Sequence, residues 1–218
     1  MGSPRSRFTD FISKQSVKDN SPITVIGVGG IGSRISETLA QIGFDLSIWD
    51  DDVVKPENVG SQIYSFSDLE ERKVLALKKR LEPYNVKVES HPEKYEGQSE
   101  LSGIVICGVD SKEVRAKIWE TIKYNPSVPL YLDGRVGGER FKLFALNPCD
   151  PSLIDAYETQ LDLTKPSFEA PCTGKFAPQA GIALAFYLWV TIQEHILAKQ
   201  IPFQVAGCNF SVRTIFRS

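Results

Sequence analysis

What the chain has little of narrows the reading first. Its 218 residues include four cysteines, Cys107, Cys149, Cys172 and Cys208, and no two of them make a C-x-x-C pair. A zinc ribbon and a disulfide framework are therefore excluded as organising elements, and a reducing cytosol fits best. No sign of charge dominates: 25 Lys and Arg against 27 Asp and Glu leave a formal net charge of −2. Neither a nucleic acid nor a membrane is expected as partner. The most apolar window, from Ile182 to Ile192, is far shorter than the roughly 20 residues that span a bilayer. The opening MGSPRSRFTDFISKQSVKDNS has no apolar core of a signal peptide, so a cytoplasmic protein without an export signal is expected. MGSPRS matches the myristoylation pattern on Gly2, but a vector-derived or chance start explains it more simply. Asn209-Phe-Ser is a nominal glycosylation sequon that carries no weight without a secretory route. There is no internal repeat and no low-complexity tract.

What is present is a large core and an alternating pattern. At 42% hydrophobic, the length suits one large α/β domain. Ile23 to Ile26 read as a buried strand, followed by a glycine-rich turn and a helix with Ile31, Ile35, Leu39 and Ile42 at three- and four-residue spacing. Leu46 to Trp49 form a second strand. The segment DLEERKVLALKKRLEPYN carries Leu69, Val74, Leu77 and Leu81 on a helix ending before Pro83. Val86 to Val88 make a short third strand. GIVICGVD reads as a strand covered on both faces, leading into the helical pattern SKEVRAKIWETIKYN. VPLYLDGRVGGERFKLFALNP supplies two further strands joined near Gly137-Gly138, where the pattern turns antiparallel. Residues 147–175 are rich in proline and acidic residues and read as a long functional loop. An apolar helix, PQAGIALAFYLWVTIQEHILAKQ, and a final strand in NFSVRTIF complete the chain. The expectation is an α/β fold with a doubly wound, mostly parallel Rossmann-like sheet, helices on both faces and an antiparallel C-terminal portion.

Gly27-Val28-Gly29-Gly30-Ile31-Gly32 satisfies G-x-G-x-x-G between a strand and a helix, where amides at the helix N-terminus can meet a phosphate or a nucleotide's sugar. Asp50, about twenty residues on at the end of the second strand, is placed to accept a ribose hydroxyl. These features say "nucleotide" and leave nicotinamide, flavin and ATP open. Asp50 is also the first of three successive aspartates in LSIWDDDVV. Strand alternation is expected to turn Asp51 to the opposite side from Asp50 and Asp52.

The residues downstream discriminate. DDDVV continues as KPENVGSQIYSFSDLEERK, and the later strand ends in GVDSKEVR. With the GVGGIG turn, these stretches resemble the ubiquitin-activating-enzyme-like adenylyltransferases of the ThiF/MoeB/HesA superfamily, over roughly residues 20 to 200. The resemblance implies that Gly27, Gly29, Gly30 and Gly32 form the nucleotide turn and that Asp50 binds the ribose. It also implies that Asp52 is the second acidic position, Asn58 and Gln62 are polar anchors, and Lys73 is the phosphate-binding lysine. Asp110 would be the magnesium-associated aspartate and Arg115 the arginine that follows it. Adenylation joins a carboxylate to the α-phosphorus of ATP, so cations must orient two anions and neutralise charge passing to pyrophosphate. The implied cofactors are ATP and Mg²⁺. The implied partner is a small ubiquitin-like or ThiS/MoaD-like carrier protein with a C-terminal glycine, and the implied assembly is a homodimer. Residues 21–218 would form one adenylation domain after a polar segment, 1–20, with a mobile crossover loop at 147–178.

Plainer readings stand beside these. Lys73 lies in ERKVLALKKR, where basic residues commonly form a solvated helix face. Asp110 can be a helix N-cap, with Glu113 completing a capping box. Asn58 can simply shape a turn before Gly60. Arg135 in LDGRVGG is either an exposed loop charge or a neighbour of the site. His91 and His195 read as surface or helix-face residues. The chain also departs from the family. Ser61 stands where relatives carry an arginine that holds ATP phosphates, leaving Arg5, Arg7, Arg34 and Arg72 as replacements, and the family's paired-cysteine zinc site is absent. Cys172, in EAPCTGKFAPQAG, lies near where some relatives carry a thioester-forming cysteine, and an exposed loop suits a thiol that must reach an acyl-adenylate. Cys107, within a β-branched strand, reads as a buried small hydrophobe. Cys149 is a weaker candidate than Cys172. A degenerate nucleotide-binding scaffold and an NAD-dependent oxidoreductase are the competing functional readings.

Overall fold

The computed structural model describes residues 22–138, 140–161, 177–208 and 211–216. Eight strands form one sheet in the order β3-β2-β1-β4-β5-β6-β7-β8. They are β1 (Ile23–Ile26), β2 (Leu46–Trp49), β3 (Val88–His91), β4 (Ile104–Cys107), β5 (Leu130–Gly137), β6 (Arg140–Leu146), β7 (Gln204–Cys208) and β8 (Ser211–Ile215). The first five pair in parallel, and β5 through β8 pair antiparallel. Among the described residues, five α-helices flank them: α1 (Gly32–Ile42), α2 (Lys73–Leu81), α3 (Lys112–Ile122), α4 (Pro151–Leu161) and α5 (Ala177–Ile196). This is the α/β, Rossmann-like architecture expected from the pattern. Among the described residues no helix is long and apolar enough to cross a membrane.

The period-two geometry of a strand divides the core. In β4, Ile104 and Ile106 join one buried cluster with Ile35 and Leu39 of α1, Leu77 and Leu81 of α2, and Leu184, Leu188 and Ile192 of α5. Val105 and Cys107 face the other way, into a cluster with Ile118, Trp119 and Ile122 of α3 and Ile154 and Tyr157 of α4. Both faces of β1 and β4 are covered, which is why every residue of ITVI and IVIC is buried rather than every second one. Chain order reverses between β1 and β4. Such a switch point opens a crevice at the carboxyl ends of the strands, and that is where the site lies.

Four elements differ from the sequence reading. α2 begins at Lys73 rather than near Leu69, because Phe66–Asp68 form a 3₁₀ turn and Glu70 adopts φ 65°, which ends any helical run. β3 begins at Val88 and carries His91, which stacks on the Trp49 indole with ring centroids 3.9 Å apart; His91 is thus a strand residue packed on its neighbour. Residues 151–161 are helical although the composition suggests a loop. Pro151 suits a first helical turn, Asp150 Oδ1 accepts the Ser152 amide at 3.0 Å, and Ile154 and Tyr157 are buried three residues apart. The rest of the 147–178 span runs largely outside the described residues, as do Arg5, Arg7 and Cys172. Finally, β7 lies between β6 and β8 and was not legible. Its Gly207 sits where a Cβ would come within 2.3 Å of the Phe141 ring, so the strand packs by what it lacks.

One polar group lies at the centre of the second cluster. Asp133 of β5 is fully buried and accepts from Arg115 Nε at 2.8 Å, Arg135 Nε at 2.8 Å and the Tyr157 hydroxyl at 2.8 Å. Burial alone would raise its pKa, but Arg115 and Arg135 outweigh it and hold the carboxyl below its ordinary value. With the folded pKa depressed, the stabilisation is present above about pH 4 and is lost as pH falls through the folded value. Arg115→Leu removes one of the two cations from that buried carboxylate. It is expected to cost about 3 kcal/mol in denaturant titrations at pH 7, with a smaller cost as the pH is lowered. A cost under 1 kcal/mol at pH 7 would contradict this.

Candidate functional site

The cleft lies over the carboxyl ends of β1, β2 and β4, with a volume of about 450 Å³. Its floor depends on two glycines. Gly27 leaves β1 at φ 86°, and a Cβ there would stand 2.8 Å from the Gly108 backbone beyond β4. At Gly32 a Cβ would fall 1.9 Å from the Gly27 carbonyl oxygen. The turn therefore folds tightly onto the start of α1 only because both positions lack side chains. Gly29 and Gly30 are left lining the cleft.

Asp50 sits beside this turn. Its Oδ2 accepts the Val28 amide at 2.8 Å and its Oδ1 accepts the Asp52 amide at 2.9 Å. Burial raises its pKa, against the opposing effects of Lys73 and the two amides. Asp52 is exposed and pairs with Lys73 Nζ at 2.7 Å. Lys73, the first residue of α2, is only 5% exposed. Burial would lower its pKa, but Asp50 and Asp52 outweigh it and raise it, so the ammonium is held charged. The plain reading of Lys73 as part of a solvated helix face does not describe it. The expectation for Asp51 also fails: one carboxylate oxygen from each of Asp50, Asp51 and Asp52 lies within 4.8 Å of the others. β2 ends at Trp49, so the three aspartates are outside the strand and its alternation does not apply to them.

A loop after the aspartates closes one side. Asn58 ends a 3₁₀ turn, and its Oδ1 accepts the Lys55 amide at 2.9 Å while the residue also lines the cleft. The turn-shaping and site-lining readings both hold for it. Gln62 lines the cleft with 6% exposure, and its Oε1 has no hydrogen-bond partner among the described residues. Ser61 turns its hydroxyl back onto the loop, donating to the Glu57 and Asn58 carbonyls at 3.2 Å each. Arg34 Nη2 donates to the Ser61 carbonyl at 3.2 Å, and Arg72 Nη1 donates to the Asp51 carbonyl.

Across the cleft, Asp110 is exposed and lines the wall after β4. It does not cap α3. Ser111 does, its Oγ accepting the Val114 amide at 3.2 Å and donating to Glu113 Oε2 at 2.7 Å, which leaves the Asp110 carboxylate outside the cap. Arg115 is not brought to the cleft. It is 1% exposed and stands behind the wall, where Nη2 donates to the Val109 carbonyl at 2.5 Å and Nε binds Asp133. Arg135 is likewise held by Asp133 and is neither an exposed loop charge nor a cleft residue. Cys107 is buried, its thiol pushed up to about 11 by burial, as a packed small hydrophobe should be. His195 is a helix-face residue on α5.

Motif reading missed Trp49, Lys55, Lys94, Tyr95 and Ser111, all of which line the cleft. Trp49 and Lys55 flank the aspartates and were available by adjacency. Lys94 and Tyr95 arrive from the chain leaving β3, and only Tyr95 packing edge-on to Trp49, centroids 5.3 Å apart, explains their place.

Residues 8–126 match the ThiF family. The NEDD8-activating enzyme E1 catalytic subunit of Schizosaccharomyces pombe is 32% identical over 170 residues, covering 71% of this chain and 37% of that protein. The chain thus spans little more than a third of that relative's length. Among solved structures, E. coli MccB with ATP superposes with a TM-score of 0.73 at 15% identity, covering 100% of this chain and 73% of the other. The E. coli tRNA N6-threonylcarbamoyladenosine dehydratase TcdA gives a TM-score of 0.65 at 17% identity, covering 89% and 92%. At these identities the likeness to the solved structures is one of fold.

Gly32→Ala forces the turn away from α1, because the clash is with backbone that cannot swing aside. A melting temperature lower by several degrees is expected. An unchanged melting temperature would contradict this account of the turn.

Proposed function

The chain belongs to the ThiF family, and from that premise we propose that it is an ATP-dependent adenylyltransferase acting on the C-terminal glycine carboxylate of a small ubiquitin-like or sulfur-carrier protein. The observation that carries this reading is the convergence, at one cleft, of the glycine turn, Asp50, the buried Lys73 and Asp110. An oxidoreductase needs the first two and gives no reason for the others.

The lining of the cleft suits ATP: Trp49, Tyr95, Val109 and Val114 are apolar or aromatic, and Gly29, Gly30, Asn58 and Lys73 suit phosphates. The open acceptor Gln62 Oε1 can take a donor from the nucleotide. Asp50 accepts ribose hydroxyls. Asp110 would hold Mg²⁺ through oxygen, with Asp52 nearby, and that ion when bound supplies further neutralisation of the phosphates. The carboxylate oxygen of the partner attacks the α-phosphorus, the bond from α-phosphorus to the bridging oxygen breaks, and pyrophosphate leaves with the electron pair. Lys73 stabilises the charge that accumulates during this transfer, and its poor solvent access makes the interaction stronger than in water.

Two relatives bear on the partner. The S. pombe protein is named for activating NEDD8, and MccB has been solved with MccA. Both support a protein or peptide carboxylate as the substrate class. In this proposal residues 21–218 act as one adenylation domain in the cytoplasm, a homodimer is the assembly, and the Cys172 thiolate attacks the acyl-adenylate carbonyl, forming a thioester as the acyl–phosphate bond breaks and AMP leaves. Ser61 favours a second reading, in which the chain binds nucleotide or partner without catalysis.

ATP–pyrophosphate exchange with carriers ending in glycine separates the readings. Exchange is expected, and Asp110→Ala should reduce it by about 100-fold. ATP binding without exchange for any carrier would favour the scaffold, and NADH binding in place of ATP would overturn both. Asp50 gives a pH test. Its raised pKa means that it protonates at higher pH than an ordinary aspartate, so ATP affinity should fall as pH drops through that raised value. Asp50→Asn should weaken ATP about tenfold at pH 7.5 and flatten the acid limb. An acid limb unchanged in Asp50→Asn would remove Asp50 from the ribose.

A further inference from the structure

We propose that Arg115 is a positioning residue: from behind the cleft wall its guanidinium fixes the Val109–Asp110 peptide unit, and so sets where the Asp110 carboxylate meets the divalent cation that accompanies ATP. The inference rests on the ATP reading above. Asp110 lines the cleft, and because Ser111 caps α3 the Asp110 carboxylate is left to a ligand. Its oxygens are the donor type that a magnesium-like cation takes. Arg115 itself touches no ligand, since it is buried and absent from the lining of the cleft.

The chain around Asp110 is held at three points. The Gly108 amide donates to the Ile26 carbonyl of β1 at 2.8 Å. The Val109 carbonyl accepts Arg115 Nη2 at 2.5 Å, and the Ser111 hydroxyl accepts the Val114 amide at 3.2 Å. A peptide unit is planar, so a fixed Val109 oxygen also fixes the nitrogen and Cα of Asp110. This middle point is the one tied to the core. Long helical side chains lean toward the N-terminus, which lets an arginine one turn into α3 reach back to the residue ahead of the cap. Arg115 spends separate nitrogens of one rigid group on two partners, Nη2 on Val109 and Nε on Asp133 Oδ1 at 2.8 Å. Asp133 stands on β5 opposite Cys107, the last residue of β4 before the Gly108–Asp110 turn. Its other oxygen, Oδ2, accepts Arg135 Nε and the Tyr157 hydroxyl at 2.8 Å each. One carboxylate oxygen is thus anchored to β5 and α4, and the other carries that anchor through Arg115 to the cleft wall. Lysine, a point charge on a flexible stem, lacks the fork that holds both partners in one geometry. Groups that orient a metal ligand without touching the metal change metal affinity by about 10- to 100-fold when removed.

Calorimetric titration of the full chain with ATP, once in Mg²⁺ and once in EDTA, tests this in wild type, Arg115→Lys, Arg115→Gln, Tyr157→Phe, Asp110→Asn and the Asp110→Asn, Arg115→Lys double variant. The readout is the gain in ATP affinity that Mg²⁺ gives. Each Arg115 variant is expected to cut that gain about tenfold while affinity in EDTA stays within about twofold. Tyr157→Phe removes a partner of the same buried carboxylate from the α4 side, so it should lower the melting temperature and keep the gain. In the Asp110→Asn background, Arg115→Lys should change the remaining gain by less than about twofold, because Arg115 acts through Asp110. Melting temperatures establish that the variants fold, and either Arg115 variant carries the test. An undiminished gain in a folded Arg115 variant, an equal loss in Tyr157→Phe, or an additive loss in the double variant would overturn the assignment. Wild type binding ATP no better in Mg²⁺ would remove the metal from Asp110, and wild type binding no ATP would defeat the ATP reading. Either takes the Arg115 assignment with it and is distinct from the three results above.

Discussion

Three glycines in mutual contact set the geometry on which everything else at the cleft depends. Gly27 leaves β1, Gly108 leaves β4, and Gly32 begins α1. A side chain at Gly27 would strike the backbone at Gly108, and one at Gly32 would strike Gly27. Where β1 and β4 diverge, the chain can approach itself this closely only without Cβ atoms. The result brings the Val28 amide to the Asp50 carboxylate and leaves Gly29 and Gly30 facing the cleft. A topological switch point is only a place where a crevice can open; these contacts give it its floor.

Electrostatics then select what the crevice accepts. Three aspartates whose carboxylates converge within 4.8 Å repel one another, and the arrangement is held by specific partners. Asp50 spends both oxygens on amides, and Asp52 is tied to a buried ammonium. Lys73 stays charged despite its burial because Asp50 and Asp52 raise its pKa. A cation held this way needs little reorganisation when charge develops near it. Behind the opposite wall, Asp133 and Arg115 perform a separate task, fixing the Val109 carbonyl beside Asp110. The two ion-pair systems lie on opposite sides of the cleft.

Legibility in the sequence followed the range of the interactions. Strand–turn–helix units such as ITVIGVGGIG carry their signal in adjacent residues, and the parallel half of the sheet was readable from them. α4 was obscured because proline and acidic residues suggest a loop, although Asp150 and Pro151 are a cap and a first turn. β7 was obscured because its fit depends on Gly207 making room for Phe141 on another strand. At the cleft, the glycine turn, Asp50, Asn58, Gln62, Lys73 and Asp110 were anticipated, while Trp49 and Lys55 were passed over although they flank the aspartates. Lys94 and Tyr95 were not anticipated, since only the path of the chain beyond β3 delivers them. Asp51 was misjudged by extending strand alternation past the end of the strand. Arg115 was sought at the nucleotide, whereas its guanidinium is drawn behind the wall to a buried carboxylate whose location no local pattern reveals.

The proposed chemistry has a direct product, an activated carboxyl at the partner's C-terminus. Trapping it with hydroxylamine, with the chain, ATP, Mg²⁺ and carriers ending in Gly-Gly followed by mass spectrometry, reports the reaction itself. The account predicts an ATP-dependent hydroxamate on the terminal glycine that disappears when Lys73 is replaced by Ala. Saturation of the cleft by ATP with no hydroxamate on any carrier, or its saturation by NADH while ATP fails to compete, would contradict it.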